Sequence, residues 1–436
     1  MPSGTGGSFS AGIGLQADFS CAVILRRDTV APVLAVRAVA GDVETLIQSV
    51  NAAAGKKLGA VTVDISPVLI DSIVNCATDL PPIAVIRVVP RPASDPRLAR
   101  SPADLIERLI AHRFTVAGGH DLLGNELCPL DRPRLAQVCA LLATSGVVDV
   151  AIVAAGSQAR PVHEREVADA VQGAIPRARI SVASDFGGQG LAAREATVAL
   201  DCVLGPLAEH LIERCERALA VAAPGVQLRI ARGDGGCSTP SRTRALPVVA
   251  LGAADAMQLC GAAYLEGRSD CRVLLPRPGG QVAGDVRHGL VAVRSGELAD
   301  FGVALVVPTA ALTPDPGNSP GGESGRVSEA PVVLATRDPS ELACIGAAVS
   351  RPTSWLDEFA FIESAAELEQ VRSDVLERAN AMVIANGAAP GSAQLAEMST
   401  VAVPYSPPGT IRIRVRVTGD PDTDPRRVAV VDRLAP

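Results

Sequence analysis

Aromatic residues are scarce: they make up 2% of the 436 residues. The chain therefore has no interleaved aromatic and basic side chains on which single-stranded nucleic acid could stack. It has no surplus of positive charge either, since the formal net charge is −7. That sign excludes electrostatic capture of nucleic acid or of an acidic membrane surface. Hydrophobic residues still make up 48% of the chain, so the core must be built from Ala, Val, Leu and Ile. This is the composition of a globular chain of two or three domains, not of a disordered one.

No two of the ten cysteines form a C-x-x-C pair, and most lie in apolar runs. That spacing speaks against a zinc site and a disulfide framework, and for buried free thiols in a reducing cytoplasm. The start "MPSGTGGSFSAG" lacks the charged and apolar regions of a signal peptide. No apolar run reads as long enough to span a bilayer, so a soluble cytoplasmic protein is expected. The motifs G-x-x-x-x-G-K-S/T and H-E-x-x-H are absent.

What is present alternates. "AGIGLQADFSCAVIL" and "APVLAVRAV" predict short strands with a turn near Arg26–Thr29. "DVETLIQSVNAAAGK" predicts a helix stopped by Gly55, and "LGAVTVDI" and "PIAVIRVV" predict buried strands. Ser101 and Pro102 predict a helix over "SPADLIERLIAHRF". The helix "DRPRLAQVCALLATSG", the strand "VVDVAIVAA", the helix "PVHEREVADAVQGAI" and the strand "RISVAS" follow. This is an α/β pattern with parallel strands. The second half opens on a long helix from Leu191, with a bend expected near Gly205-Pro206. It continues with the strand "VQLRIAR", a loop, and a small-residue helix "GAADAMQLCGAAYLEGR" suited to close packing. In "RVLLPRPGGQVAGDV" an apolar strand leads into a Gly-Gly turn, a polar loop and an Asp, the layout of a phosphate-gripping hairpin. The charged stretch from Ser364 predicts another helix. In "GTIRIRVRVTGD", Ile411, Ile413, Val415 and Val417 share one face. Arg412, Arg414 and Arg416 share the other, read as solvated, with an acidic partner as the alternative.

The middle and end of the chain resemble the hydantoinase A / 5-oxoprolinase family. "ARPVHEREVADAV" is similar to its Asn-Pro-x-His-Glu segment. "SVASDFGGQGLAAREATVALDCVLGPLAEHL" is similar to its Ser-His-Glu-x-Gly-Gly-x-Gly-Leu-x-x-Arg-Glu-x-x-Thr segment and following helix. "RGDGGCSTPSRTRALPVV", "LCGAAYL" and the tail from "GAAVSRPTSWLDEF" to "TIRIRVRVTGD" have counterparts in the same order. The resemblance implies an actin-like ATPase fold of two ribonuclease-H-like lobes, here with a shortened C-terminal lobe. It implies ring opening of cyclic amides or imides coupled to ATP and Mg²⁺, often with a second subunit. The expected division is a flexible start (1–10), an N-terminal lobe (11–175), a central lobe (176–313), a linker (314–328) and a completing segment (329–436).

The nucleotide positions depart from the family. Its first hairpin carries Asp-x-Gly-Gly-Thr-x-Thr-Asp; here Gln16 stands at the carboxylate, Asp18 follows, and both turn glycines are missing. Gln is a poor Mg²⁺ ligand. In the second hairpin Gly279 and Gly280 persist and Asp285 matches a closing Asp, but Arg277 replaces the second carboxylate. A cation there repels a divalent metal. A further Gly-Gly-Gly-Ser segment has no counterpart. No cofactor and no metal are therefore expected, although the family would use ATP and Mg²⁺.

Other residues hold chemistry in two readings each. His163 and Glu164 are an acid/base pair or a helix cap. Asp185, Arg194 and Glu195 form a small-molecule site at a strand-to-helix junction, or structural turn and helix-start charges. Asp234 and His120 are site residues or loop punctuation, and Cys237 is a nucleophile only if a base lies near it. The expected function is a family member with a dismantled nucleotide site, a structural or regulatory partner of an amidohydrolase-type complex, as a homo-oligomer or with a hydantoinase-type subunit. The alternative is an active cyclic-amide hydrolase, with or without ATP. "VALVVPTAAL" is expected to lack cover within the chain.

Overall fold

A computed structural model describes residues 9–26, 32–39, 42–75, 80–93, 101, 103–298, 302–315 and 330–423. The turn expected at Arg26–Thr29 and nearly all of the linker 314–328 lie outside these residues. Leu312–Asp315, expected partly as linker, is a strand paired with Gly280–Arg287.

The fold is mixed α/β. Phe9–Leu15, Phe19–Arg26 and Pro32–Val39 form an antiparallel meander. Leu58–Asp64 joins Phe9–Leu15 in parallel, and Gln227–Ala231 joins Leu58–Asp64 in parallel. With Cys237–Ser238 at the far edge this makes a six-stranded sheet. A second, four-stranded parallel sheet runs Arg179–Val182, Asp149–Ala154, Ile83–Val89, Ile110–Ala117. Its two central strands, Ile83–Val89 and Asp149–Ala154, are buried apolar runs, as parallel strands covered on both faces must be.

The largest core contains Ile13, Ile47, Val63, Val198, Ile230 and Val306. It crosses the expected boundary at 175/176, so the first two segments share one interior. Its axis is the helix Leu191–Ala222, which runs unbroken through Pro206. The hairpin Val293–Leu298/Val303–Ala310 packs on that helix, and the Val306 N–H donates to Thr197 Oγ1 at 2.9 Å. Leu305, Val306 and Val307 are buried. The apolar stretch read as uncovered is thus covered from within.

Two further expectations change. The helix from Ser101 is only Asp104–Leu109, and Ile110–Ala117 is a strand. Its Ile110, Phe114, Thr115 and Val116 suit a sheet, and the edge offered by Ile83–Val89 overrides the helical spacing that precedes them. Pro247–Leu265 is long and apolar enough to cross a membrane, at a mean hydropathy of 1.4, but 72% of it is buried inside the fold. Its helical part, Ala253–Leu265, crosses the helix Pro339–Val349 at a glycine on each side. A Cβ at Gly261 would fall 2.1 Å from the Leu342 carbonyl, and one at Gly346 would fall 2.0 Å from that of Met257.

The nine cysteines among the described residues are free, and eight are buried. A three-stranded antiparallel sheet, Thr353–Phe361, Thr410–Thr418 and Gln394–Ala402, completes the chain. The helix Ala365–Ala385 covers its Ile411, Ile413, Val415 and Val417 face.

Candidate functional site

Two β-hairpins bring their turns toward one segment, 335–340. In the first, Gln16, Ala17 and Asp18 form the turn, closed by Gln16 N–H donating to the Phe19 carbonyl at 3.0 Å. The Gln16 side-chain amide donates to Ser340 Oγ at 2.7 Å. Asp18 is exposed. Ser340 opens the helix Pro339–Val349, whose N-terminal N–H groups are capped by Asp338, itself paired with Arg37 at 2.6 Å. An incoming anion would have to displace that carboxylate.

In the second hairpin Cys271–Arg277 pairs with Gly280–Arg287 through a Pro278-Gly279 turn. The expected polar loop is therefore strand, with Gly280 as its first residue, and Asp285 meets Arg272 at 3.2 Å across the ladder rather than facing the turn. The Arg277 guanidinium bonds Asp255 at 2.5 Å and Gln258 Oε1 at 2.9 Å. Arg277, Gln258 and Gln281 line a cavity of about 370 Å³ with Arg337 and Pro339.

The sequence reading missed Asp64. It ends the strand Leu58–Asp64 beside Gly14 and is 1% exposed. One oxygen accepts from Ser66 N–H at 2.9 Å; the other is buried with no hydrogen-bond partner among the described residues. Burial, with Asp255 nearby, pushes its carboxyl up to about 6. Its position at the carboxyl end of a parallel strand was the available signal. Among the described residues no cluster of three or more His, Cys, Asp or Glu is disposed to hold a metal ion.

The expected triad of Asp185, Arg194 and Glu195 comes apart. Glu195 is buried and pairs with Arg87 at 2.7 Å and with Arg113. Arg194, 2% exposed, donates to the Ala154 carbonyl at 3.0 Å, to Gln158 at 2.8 Å and to Ser157. Both tie the long helix to the parallel sheet. The glycines before them serve packing. A Cβ at Gly187 (φ +65°) would strike the Asp357 carbonyl at 2.5 Å, and one at Gly188 (φ +75°) would strike Val306. Asp185 alone opens onto a cavity.

Glu164 and His163 do not cap their own helix. Glu164 accepts from Ala154 N–H, Ser157 Oγ and Ser184 N–H at 2.7–2.9 Å, pinning two loops. His163 Nδ1 accepts from Gly119 N–H at 2.9 Å, and its ring lies 4.4 Å from that of His120.

Asp234, expected as a site residue, is closed off. Its carboxylate meets Arg232 at 3.4 Å, Gly236 N–H at 3.0 Å and Thr353 Oγ1 at 2.9 Å. Burial opposes its charge, but Arg232, Arg416 and these donors hold its carboxyl below the usual range. Arg416, 2% exposed, donates to the Val291 carbonyl at 2.6 Å and to that of Asp234. Arg412 grips Asp357 with two bonds at 2.6 and 2.5 Å, and Arg414 meets it at 3.4 Å. The arginine face read as solvated is packed against the chain's own acids and carbonyls. Cys237 is fully buried, and burial pushes its thiol up, away from the thiolate form a nucleophile needs.

The largest of the cavities described in the chain, about 490 Å³, lies between the edge strand Arg179–Val182, the long helix and the segment Arg242–Pro247. Asp185, Asp201, Ser181, Arg179, Arg242 and Arg244 line it. Asp201 accepts from Ser181 Oγ at 2.8 Å and Val248 N–H at 3.2 Å. Burial, with Asp185 nearby, pushes its carboxyl up to about 7.

An α/β chain with opposed hairpins and this helix arrangement has known counterparts of fold. No protein-family profile and no curated protein sequence matches the chain. Solved structures do. A nucleotide-free acetone carboxylase, described in a study of ATP-dependent acetone carboxylation, superposes with a TM-score of 0.65 at 12% identity, over 95% of this chain and 88% of that one. An ATP-dependent caprolactamase from Pseudomonas jessenii superposes with a TM-score of 0.64 at 10% identity, over 94% and 87%. At these identities the likeness is one of fold.

Proposed function

We propose that the chain is a divergent member of the hydantoinase A / 5-oxoprolinase type whose nucleotide site no longer works. It acts as a non-hydrolysing structural or regulatory partner of an amidohydrolase-type complex, either as a homo-oligomer or beside a hydantoinase-type subunit. The observation that carries this reading is the state of the two hairpin turns. Where Mg-ATP chemistry needs a carboxylate on each side, Gln16 is tied to Ser340 and Arg277 is tied to Asp255 and Gln258. A guanidinium repels Mg²⁺, and a carboxamide offers it a neutral oxygen in place of a charged carboxylate.

The fold likeness to two ATP-dependent enzymes supports the ancestry, and the caprolactamase acts on a cyclic amide, the substrate class the sequence resemblance implied. The meander followed by parallel strands supports a ribonuclease-H-like first lobe, with the sheet around Cys271–Arg287 as the counterpart in a shortened second lobe. Residues 11–175 and 176–313 would then be interleaved through the core they share, with 329–436 completing the second lobe.

The test is phosphate release from ATP and Mg²⁺ by the purified chain, alone and with hydantoin, 5-oxoproline and caprolactam. The expected rate equals that of buffer; substrate-stimulated release contradicts the reading. A second reading, cyclic-amide hydrolysis without ATP, has one observation in its favour: two carboxyls, Asp185 and Asp201, share the cavity of about 490 Å³. Ring opening of any of the three amides without ATP would favour it.

A further inference from the structure

The cavity beside the edge strand Arg179–Val182 holds an unmatched pair of opposite charges. Three arginines line it, and two are already neutralised. Arg179 bonds Asp149 at 2.6 Å. Arg244 meets Glu209 at 2.9 Å and Glu216 at 2.6 Å. Arg242 forms no ion pair among the described residues; its Nε donates to Asn386 Oδ1 at a long 3.4 Å. The carboxyls divide in the same way. Asp201 is bonded by Ser181 and Val248, whereas Asp185 accepts no hydrogen bond among the described residues. Asp185 is exposed and Arg242 half-buried; each favours the other's ionised form, yet they do not meet as an ion pair among the described residues.

What can enter follows from the signs. A simple anion would satisfy Arg242 and be repelled by Asp185; a simple cation would do the reverse. A neutral molecule would engage neither charge. A ligand bearing both charges satisfies both walls. A volume of about 490 Å³ suits a small molecule rather than a protein segment.

We propose that this cavity binds a small zwitterion, a free amino acid, with its carboxylate on Arg242 and its ammonium group on Asp185. The inference does not rest on the loss of the nucleotide site and holds whether or not the chain hydrolyses ATP.

The test is calorimetric titration of the full chain with linear ω-amino acids from glycine to 6-aminohexanoate, a series that samples the span between the charges. At least one should bind saturably. Hexanoate and hexylamine, each lacking one charge, should bind at least about tenfold more weakly than the best member. Arg242→Gln and Asp185→Asn should each weaken that member by about tenfold or more, with the unfolding temperature unchanged. The proposal is overturned if no member binds by about 10 mM, if hexanoate or hexylamine matches the best amino acid, or if neither substitution weakens binding. The comparison of ligands on the unaltered protein decides the matter even if a variant fails to fold.

Discussion

Glu195 and Asp185 begin as one motif in the sequence and end as opposites in the structure. Glu195 is closed, with two arginines on its carboxylate and 2% of its side chain exposed. Asp185 is open, facing a cavity with no bonded partner among the described residues. Asp234 and Asp357 belong with Glu195; Arg242 belongs with Asp185. A charged residue in a conspicuous motif is not thereby a site residue. Within this chain, the charges that remain available for a ligand are those the fold leaves unpaired.

The contrast can be broken most forcefully at Glu195. Removing it leaves Arg87 and Arg113, 14% and 12% exposed, facing each other without their shared anion. Glu195→Ala should destabilise the protein by about 3–5 kcal/mol in urea unfolding. A loss below about 1 kcal/mol would mean that the network is not a structural tie.

Next in size is a pH effect on the buried carboxyls. Asp201 is raised from 3.8 to about 7 and Asp64 from 3.8 to about 6, both chiefly by burial. The native state therefore binds more protons than the unfolded state between the ordinary and raised values. Their stabilising contribution is full below 3.8 and is lost as pH rises through about 7 for Asp201 and about 6 for Asp64. Asp201→Asn removes the titration, so its stability relative to the parent should climb between pH 4 and 8, by roughly 1–3 kcal/mol. A flat difference across that range would contradict the burial argument.

Arg277→Ala should cost less than about 1 kcal/mol, because its pair with Asp255 is partly open to water. The smallest effect belongs to Asp185→Asn, within about 0.5 kcal/mol of the parent by thermal or urea unfolding. A large loss at Asp185 would move it into the closed class and weaken the case for a ligand there.

Much of the fold was legible because apolar periodicity reports burial. The strands at 58–64, 83–89 and 149–154 and the helices at 43–54 and 132–145 stand where the spacing puts them. The segment 104–117 was not, since a partner strand decided it. The two-faced pattern of 411–417 was plain, but not the fate of its arginines. Asp357, which grips Arg412, lies 55 residues away in sequence. The same distance problem hid the pairing of Arg277 with Asp255 and the facing of Asp185 with Arg242. Residue types raised the expectation that Gln16 and Arg277 replace carboxylates; only the fold showed what engages them.

The most direct measurement is titration of the purified chain with ATP in the presence of Mg²⁺, followed by calorimetry and by the shift in unfolding temperature. A ligand that binds the native state alone must raise its stability. The account predicts no saturable heat and no shift. Mg²⁺-dependent binding that saturates in the micromolar range would contradict it.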